Sequence, residues 1–205
     1  MIDMWNERYA ASEYVYGTAP NEFLKEVIDK LKGNGKVLFP AEGEGRNAVY
    51  AAKKGFDVTA FDLSVEGQKK ALNLASLNNV SINYLLGSVD TLDLPENYYN
   101  VVGLIYAHMP THLRAAFHNR VAELVAPGGA IILEGFSKEN LKLRLKNPEI
   151  GGPDKVELLF STEEIQNDFK GFGIEKLEEL EVDLQEGLLH NGKAKVIRFI
   201  GKKLV

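Results

Sequence analysis

Apolar residues recur along the chain with two alternating periods. Phe23, Leu24, Val27, Ile28 and Leu31 are spaced three and four apart, on one face of a helix that Pro20 opens and Gly33 and Gly35 stop. The run Lys36-Val37-Leu38-Phe39-Pro40 then reads as a strand, being short, mostly apolar and cut off by a glycine-containing turn. Helical spacing returns over residues 48–54 and ends at Gly55, and residues 58–61 form a second strand ending at Asp62. Ser64 caps a helix that runs to about Leu77. Strands follow over 82–86 and 99–106, then a helix over 110–125 and a Pro127-Gly128-Gly129 turn into a fifth strand, 130–134. Ser161 and Glu164 form a capping box whose helix ends near Gly171. Two last strands, about 174–184 and 193–203, are joined by a turn containing Gly187 and Gly192, with no helix between them, so they are expected to pair antiparallel. The pattern predicts an α/β fold: a doubly wound sheet of seven strands, mostly parallel, closed by an antiparallel C-terminal hairpin strand. Within 135–160 the pattern is weakest. Lys138, Lys142, Arg144 and Lys146 there read as a solvated helix face or as a basic face for an anionic partner.

The 205 residues, 45% apolar and 26% charged, suit a single domain over 1–205, with an N-terminal segment and helix in 1–35 and the core sheet in 36–205. A net charge of −5 weighs against a nucleic-acid partner, which asks for a basic footprint. The absence of cysteine excludes disulfides, a thiol nucleophile and thiolate-bound metal. No apolar stretch approaches membrane-spanning length. The first residues carry acids and aromatics where a secretory leader needs bases and an apolar run, so a cytoplasmic location is expected.

The most informative segment is the turn after the first strand. Gly43 and Gly45 allow tight turning or close approach of a ligand, and a helix starts near Arg46 with its amides free. Asp62 ends the next strand 17 residues after Gly45, where a carboxylate can hold the two hydroxyls of a ribose. Gly43 to Ala48 satisfies the spacing of a dinucleotide fingerprint, but Glu42 and Glu44 would repel a pyrophosphate and favour a cationic ligand. S-adenosylmethionine combines a positive sulfonium and ammonium with a ribose.

Five stretches extend this in order: WNERYAASEYVYGTAPNEFL, AEGEGRNAVYAAKKGFDVTAFDLS, GSVDTLDLP, APGGAIILEGF and the terminal hairpin. Over nearly its whole length the chain resembles class I S-adenosylmethionine-dependent methyltransferases, and it is most similar to the small bacterial group around tellurite-resistance and thiopurine-type methyltransferases. The resemblance implies a Rossmann-like sheet and S-adenosylmethionine as cofactor. It implies that Ala41, Glu42, Gly43, Gly45 and Arg46 of the glycine motif bind the cofactor, as does Leu63 beside the ribose acid Asp62. Val89 and Asp90 would meet the adenine, and Tyr106, at the carboxyl end of the fourth strand over the pocket mouth, would also bind the cofactor. Trp5 and Tyr16 would belong to an aromatic lid; the alternative is an aromatic segment that packs on the sheet. The chain departs from the family at Phe39, Ala41 and Asn100, where an acid, a glycine and an aspartate are frequent. Glu42 or Glu44 could replace the missing acid, or each could be a solvated turn residue.

On the acceptor side, His108 follows the fourth strand and reads either as a general base or as a packing residue. His108 and His112 have the spacing of metal ligands, but Pro110 intervenes and no third ligand is evident, so no metal is expected. Glu186 and His190 flank the last turn and join the acceptor site if the sixth strand runs parallel to the first five. The implied activity is methyl transfer to a small molecule: a thiol, a chalcogen oxyanion or a similar soft nucleophile. Two alternatives stand beside it, a non-catalytic S-adenosylmethionine-binding module and a nicotinamide-dependent oxidoreductase.

Overall fold

A computed structural model describes residues 2–205. Its strands are β1 (Lys36–Pro40), β2 (Asp57–Asp62), β3 (Asn83–Leu86), β4 (Tyr99–Ile105), β5 (Val125–Phe136), β6 (Phe172–Glu186) and β7 (His190–Lys203). They form one sheet in the order β3-β2-β1-β4-β5-β7-β6. Neighbours among β1 to β5 pair parallel, β7 runs antiparallel to β5, and β6 runs antiparallel to β7. Two reversals leave β6 pointing the same way as β1. The β6–β7 turn therefore emerges at the edge where the parallel strands end.

The expected mixed sheet is present, with local differences. Tyr99 pairs with Val125 and Val101 with Ala130, so Pro127-Gly128-Gly129 bulges out within β5 instead of preceding it. Gly192 lies inside β7, and the turn is confined to residues 187–189. Pro20 stands just outside its helix, because Asn21 is the N-cap, accepting from the Leu24 N–H at 3.0 Å.

The helices are α1 (Ile2–Tyr9), α2 (Glu22–Ile28), α3 (Arg46–Lys53), α4 (Val65–Leu77), α5 (Thr111–Leu124), α6 (Asn140–Lys146) and α7 (Thr162–Asp168). On one face of the sheet Phe23, Leu24, Val49, Ala71 and Leu74 of α2 to α4 pack on Val37, Phe39, Val58 and Val101. On the other, Phe117, Val121, Ile165 and Phe169 of α5 and α7 pack on Leu38, Val102, Leu104 and Phe199. Phe39 is fully buried, and a Cβ added to Gly103 would lie 2.5 Å from its ring. The aromatic at this position is therefore a packing element whose bulk is taken up by the glycine on the neighbouring strand. Asn100 sits at the opposite edge from the strand ends, where its Oδ1 accepts from the Lys36 N–H at 2.8 Å.

Residues 137–161 bridge β5 to α7 through α6 and two 3-10 turns, Pro148–Ile150 and Val156–Leu158. Three of the four basic residues here are used internally. Lys138 pairs with Glu164 at 2.7 Å, Lys142 with Glu139 at 3.0 Å, and Arg144 donates to the Gly152 carbonyl at 2.7 Å. That pairing favours the solvated-face reading of this segment. Among the described residues no helix is long and apolar enough to cross a membrane.

Candidate active site

β1 and β4 are neighbours at the point where the strand order reverses, and ligands bind such sheets at this point. The residues that leave the two strands, Ala41 and Tyr106, both have a left-handed φ of 53°. Each costs of the order of 1 kcal/mol or more for a side-chain-bearing residue, a cost usually met at functional positions. Gly43 and Gly45 continue the turn with φ of 65° and 88°.

Asp62 closes this turn from β2. Its Oδ2 accepts from the Gly43 N–H at 3.0 Å and its Oδ1 from the Ser64 N–H at 2.9 Å. Burial pushes its pKa up, against the lowering effect of these backbone donors. Leu63 follows it, half-buried, and the Gly87 N–H donates to the Asp62 carbonyl at 2.9 Å. That last bond sets the turn after β3 beside the glycine turn, with Val89 buried and Asp90 exposed.

The two glutamates of the turn have separate tasks, and neither is a loose solvated residue. Glu42 Oε1 accepts from the Asn47 and Ala48 N–H groups at 2.8 and 2.7 Å, at the start of α3. Burial raises its pKa to about 7, opposed by these donors and by Arg46. The amides that a dinucleotide fold offers to a pyrophosphate are thus already taken by a carboxylate of the chain itself. Glu44, only 4% exposed, turns instead to the N-terminal segment, accepting from the Val15 N–H at 2.9 Å and from Lys70 Nζ at 2.8 Å.

That segment folds over the turn. Tyr9 is the ring nearest it: a Cβ on Gly43 would lie 2.6 Å from the Tyr9 hydroxyl, and one on Gly67 3.1 Å from its ring. Trp5 stacks on Tyr9 at 5.5 Å with the Arg8 guanidinium 4.8 Å from its own ring, so it lies one ring away from the turn. Tyr16 packs toward the β6–β7 turn, 4.6 Å from the His190 ring, and its hydroxyl accepts from Arg8 at 3.0 Å. Tyr9, four residues after Trp5 and on the same helix face, is thus the aromatic of this segment that touches the turn, in place of Trp5.

His108 has no nitrogen to spare. Its Nδ1 lies 2.8 Å from the Leu158 carbonyl, and its Nε2 accepts from the Phe136 N–H at 3.1 Å. The ring is stacked at 4.5 Å on Phe160, and burial lowers its pKa to about 4. Of the two readings of His108 this geometry favours the packing one, with the ring tying the 3-10 turn Val156–Leu158 to the end of β5. His112 is exposed on α5.

Glu186 and His190 come together as their spacing about the last turn suggests. Glu186 Oε2 lies 3.1 Å from His190 Nδ1 and 2.9 Å from an Arg46 nitrogen, while its Oε1 accepts from Asn21 Nδ2 at 3.1 Å. These donors outweigh burial and hold its pKa at about 2. The carboxylate fixes the proton of His190 on Nδ1 and leaves Nε2 with the lone pair. Burial keeps His190 below its ordinary pKa, so the ring is neutral near pH 7. Tyr106 and Phe136 complete its surroundings, with ring centroids at 4.6 and 5.2 Å.

Behind them lies a layer with no signal in the sequence. Glu134 accepts from Asn21 Nδ2 at 2.6 Å, from the Tyr106 hydroxyl at 3.0 Å and from Arg198 Nε at 2.6 Å. Two carboxylates and two guanidiniums thus balance in one buried network. It joins the α2 cap, the α3 start, β5 and the terminal hairpin.

Comparison with known proteins agrees with this layout. Residues 37–129 match the model of a methyltransferase domain, and the matched segment holds the glycine turn, Asp62, the turn after β3 and all of β4. The ribosomal protein L11 methyltransferase of Thermus thermophilus is 30% identical over 132 residues, 62% of this chain and 50% of that protein. The chain spans about half the length of the curated relatives it matches. A solved structure concerned with the conversion of a disulfide bond into a thioacetal group during echinomycin biosynthesis superposes with a TM-score of 0.79 at 17% identity, covering 100% of this chain and 92% of that one. Magnesium protoporphyrin IX methyltransferase from Synechocystis PCC 6803, solved with bound S-adenosylhomocysteine, gives 0.70 at 16% identity over 98% and 97% of the two chains.

Proposed function

We propose that this chain is an S-adenosylmethionine-dependent methyltransferase acting on a small-molecule acceptor with a soft nucleophile, such as a thiol or a chalcogen oxyanion. The observation that carries the reading is Glu42 on the first amides of α3. A diphosphate would have to displace a carboxylate there, whereas a cationic cofactor meets an acidic turn with the ribose-type acid Asp62 beside it. This weighs against a nicotinamide oxidoreductase. The smallness of the acceptor is supported by His190, which is 4% exposed beneath Tyr16 and Tyr106.

When bound, S-adenosylmethionine would supply an electrophilic methyl group for the acceptor. The chain's own residues align and shield. Asp62 and the glycine turn hold the ribose side, and Tyr9, Tyr16 and Tyr106 exclude water around the reacting groups. Where the acceptor arrives protonated, His190 Nε2 takes its proton as the new bond forms, and the charge on the imidazolium is met by Glu186. An acceptor that is already anionic needs no such step.

Calorimetry with S-adenosylhomocysteine and NADH, followed by turnover of 2-mercaptoethanol and a wider thiol panel, tests the reading. His190→Gln is expected to keep S-adenosylhomocysteine affinity within about 3-fold while turnover of a neutral thiol falls by roughly 100-fold. The loss should shrink above the thiol's own pKa, where thiolate arrives ready-made. Binding of NADH in place of S-adenosylhomocysteine overturns the reading. Binding without turnover on any acceptor returns the chain to a non-catalytic binding module.

A further inference from the structure

Glu44 stands in the middle of the glycine turn, yet its carboxylate is spent on the segment that covers the site. Oε2 accepts from the N–H groups of Val15 and Tyr16 at 2.9 and 3.4 Å, and Oε1 from Val15 at 3.2 Å and from Lys70 Nζ at 2.8 Å. Lys70 also donates to the Glu13 carbonyl at 2.6 Å, and the Tyr14 hydroxyl donates to the Lys70 carbonyl at 3.0 Å. Residues 13–16 are therefore clipped to the turn and to α4 around the Glu44–Lys70 ion pair, of which the carboxylate is buried and the lysine partly exposed.

The other edge of the same segment is held by the terminal hairpin. The Val15 carbonyl accepts from the Leu188 N–H at 2.7 Å. Gly17 and Gly187 approach so closely that a Cβ on Gly187 would meet the backbone of Val15, Tyr16 and Gly17. Tyr16 then lays its ring against His190 at 4.6 Å. An unbroken chain of contacts runs from the glycine turn through Glu44, Val15 and Tyr16 to the histidine.

We propose that Glu44 is a positioning residue that latches segment 13–17 to the glycine turn, so that the state of the turn sets how tightly Tyr16 covers His190. The role of His190 as base rests on the function proposed above; the latch itself does not. A carboxylate suits the position because one group must accept several amides and also pair with a lysine. Releasing it lets water reach His190, whose depressed pKa comes first from burial. The groups that face His190 are Glu186 with its partner Arg46, Arg8 at the Tyr16 hydroxyl, the Tyr16 and Tyr106 phenols, Glu134 behind Tyr106, and His108. Of these, a change at Glu44 reaches Tyr16, whose N–H donates to it and whose phenol pKa it helps to raise, and through the Tyr16 hydroxyl it reaches Arg8; the other groups it does not touch.

The test follows the His190 imidazole by NMR titration, and amide hydrogen exchange over residues 13–17, in the wild type, Glu44→Ala, Glu44→Gln and Lys70→Met. Glu44→Ala is expected to speed exchange over 13–17 by about 10-fold or more, the scale of a lost charge-assisted hydrogen bond, and to move the His190 titration up toward the ordinary histidine value. Glu44→Gln, which keeps an acceptor for the amides but loses the pair with Lys70, should shift both readouts by less than Glu44→Ala. Lys70→Met should fall between them and serves if Glu44→Ala does not fold. Unchanged His190 titration in Glu44→Ala, or in Lys70→Met when that variant stands in for it, overturns the proposal, as does faster exchange spread over the whole chain. Added S-adenosylhomocysteine should shift the His190 titration in the wild type and less in Glu44→Ala. If it fails to bind the wild type, the proposed function fails, while the latch is still decided by the measurements on the free protein.

Discussion

Arg46 and Glu186 stand 140 residues apart in the chain and meet in a buried ion pair of 2.9 Å. The contact fastens the start of α3, beside the glycine turn, to the end of β6. Removing one partner of a buried pair strands the other charge. Arg46→Met is therefore expected to cost about 3–5 kcal/mol in chemical denaturation. Glu186, with a folded pKa of about 2 against an ordinary 4.5, contributes stability that is complete above the unfolded value and fades as pH falls through the folded one. Between pH 4.5 and 2 the wild type should lose stability that Glu186→Gln never had.

Asp62→Ala should weaken S-adenosylhomocysteine binding by about 10- to 100-fold in calorimetry, the scale of one or two charge-assisted hydrogen bonds. The same change frees the Gly43 N–H, so the thermal midpoint should fall as well. Unchanged affinity in a folded variant would place the ribose elsewhere.

His108→Ala leaves the Leu158 carbonyl and the Phe136 N–H without their partner, and a loss of about 2–4 kcal/mol is expected. A histidine whose folded pKa is depressed contributes stability that is full above its unfolded value, 6.5, and is lost as pH falls through its folded value of about 4. His108→Gln should flatten the stability profile over that window. Turnover per folded molecule should survive this substitution, in contrast to His190→Gln.

Glu42 titrates in the opposite sense. Its folded pKa of about 7 lies above the ordinary 4.5, so the contribution is full below 4.5 and lost as pH rises through 7. Glu42→Gln is expected to gain stability over the wild type at pH 8 relative to pH 5, read as the difference in thermal midpoint. A constant difference at both pH values would show that the carboxylate is as well solvated in the fold as outside it.

Most of the sheet was legible because its signals are local. β1 has the bounds its apolar run suggests, Ser64 caps α4, and the Ser161–Glu164 box opens α7. The Pro-Gly-Gly bulge was misplaced because a bulge keeps strand pairing on both sides of it, and only the partner strand reveals that. The candidate site divides along the same line. Gly43, Gly45 and Asp62 announce themselves by spacing, whereas Asn21, Glu134 and Arg198 look like ordinary polar residues until the fold stacks them. Glu134 read as the end of a strand, and nothing near it in sequence supplies Asn21, Tyr106 or Arg198 as partners. Glu42 and Glu44 were seen as charges near a ligand, but their targets, the α3 amides and the Val15 segment, decide what they do. His108 had the right place and the wrong surroundings.

The bond between Val15 and Leu188 also orders events in time. As the chain leaves the ribosome, residues near the start cannot take their final position until the β6–β7 turn has been made, almost the whole length of the chain later. The parallel core can assemble around β1 and β4 beforehand, since its strands and helices are complete by then. A molecule whose strands β1 to β5 have assembled but whose hairpin is not yet made therefore lacks the Val15–Leu188 bond and the His190 ring beside Tyr106.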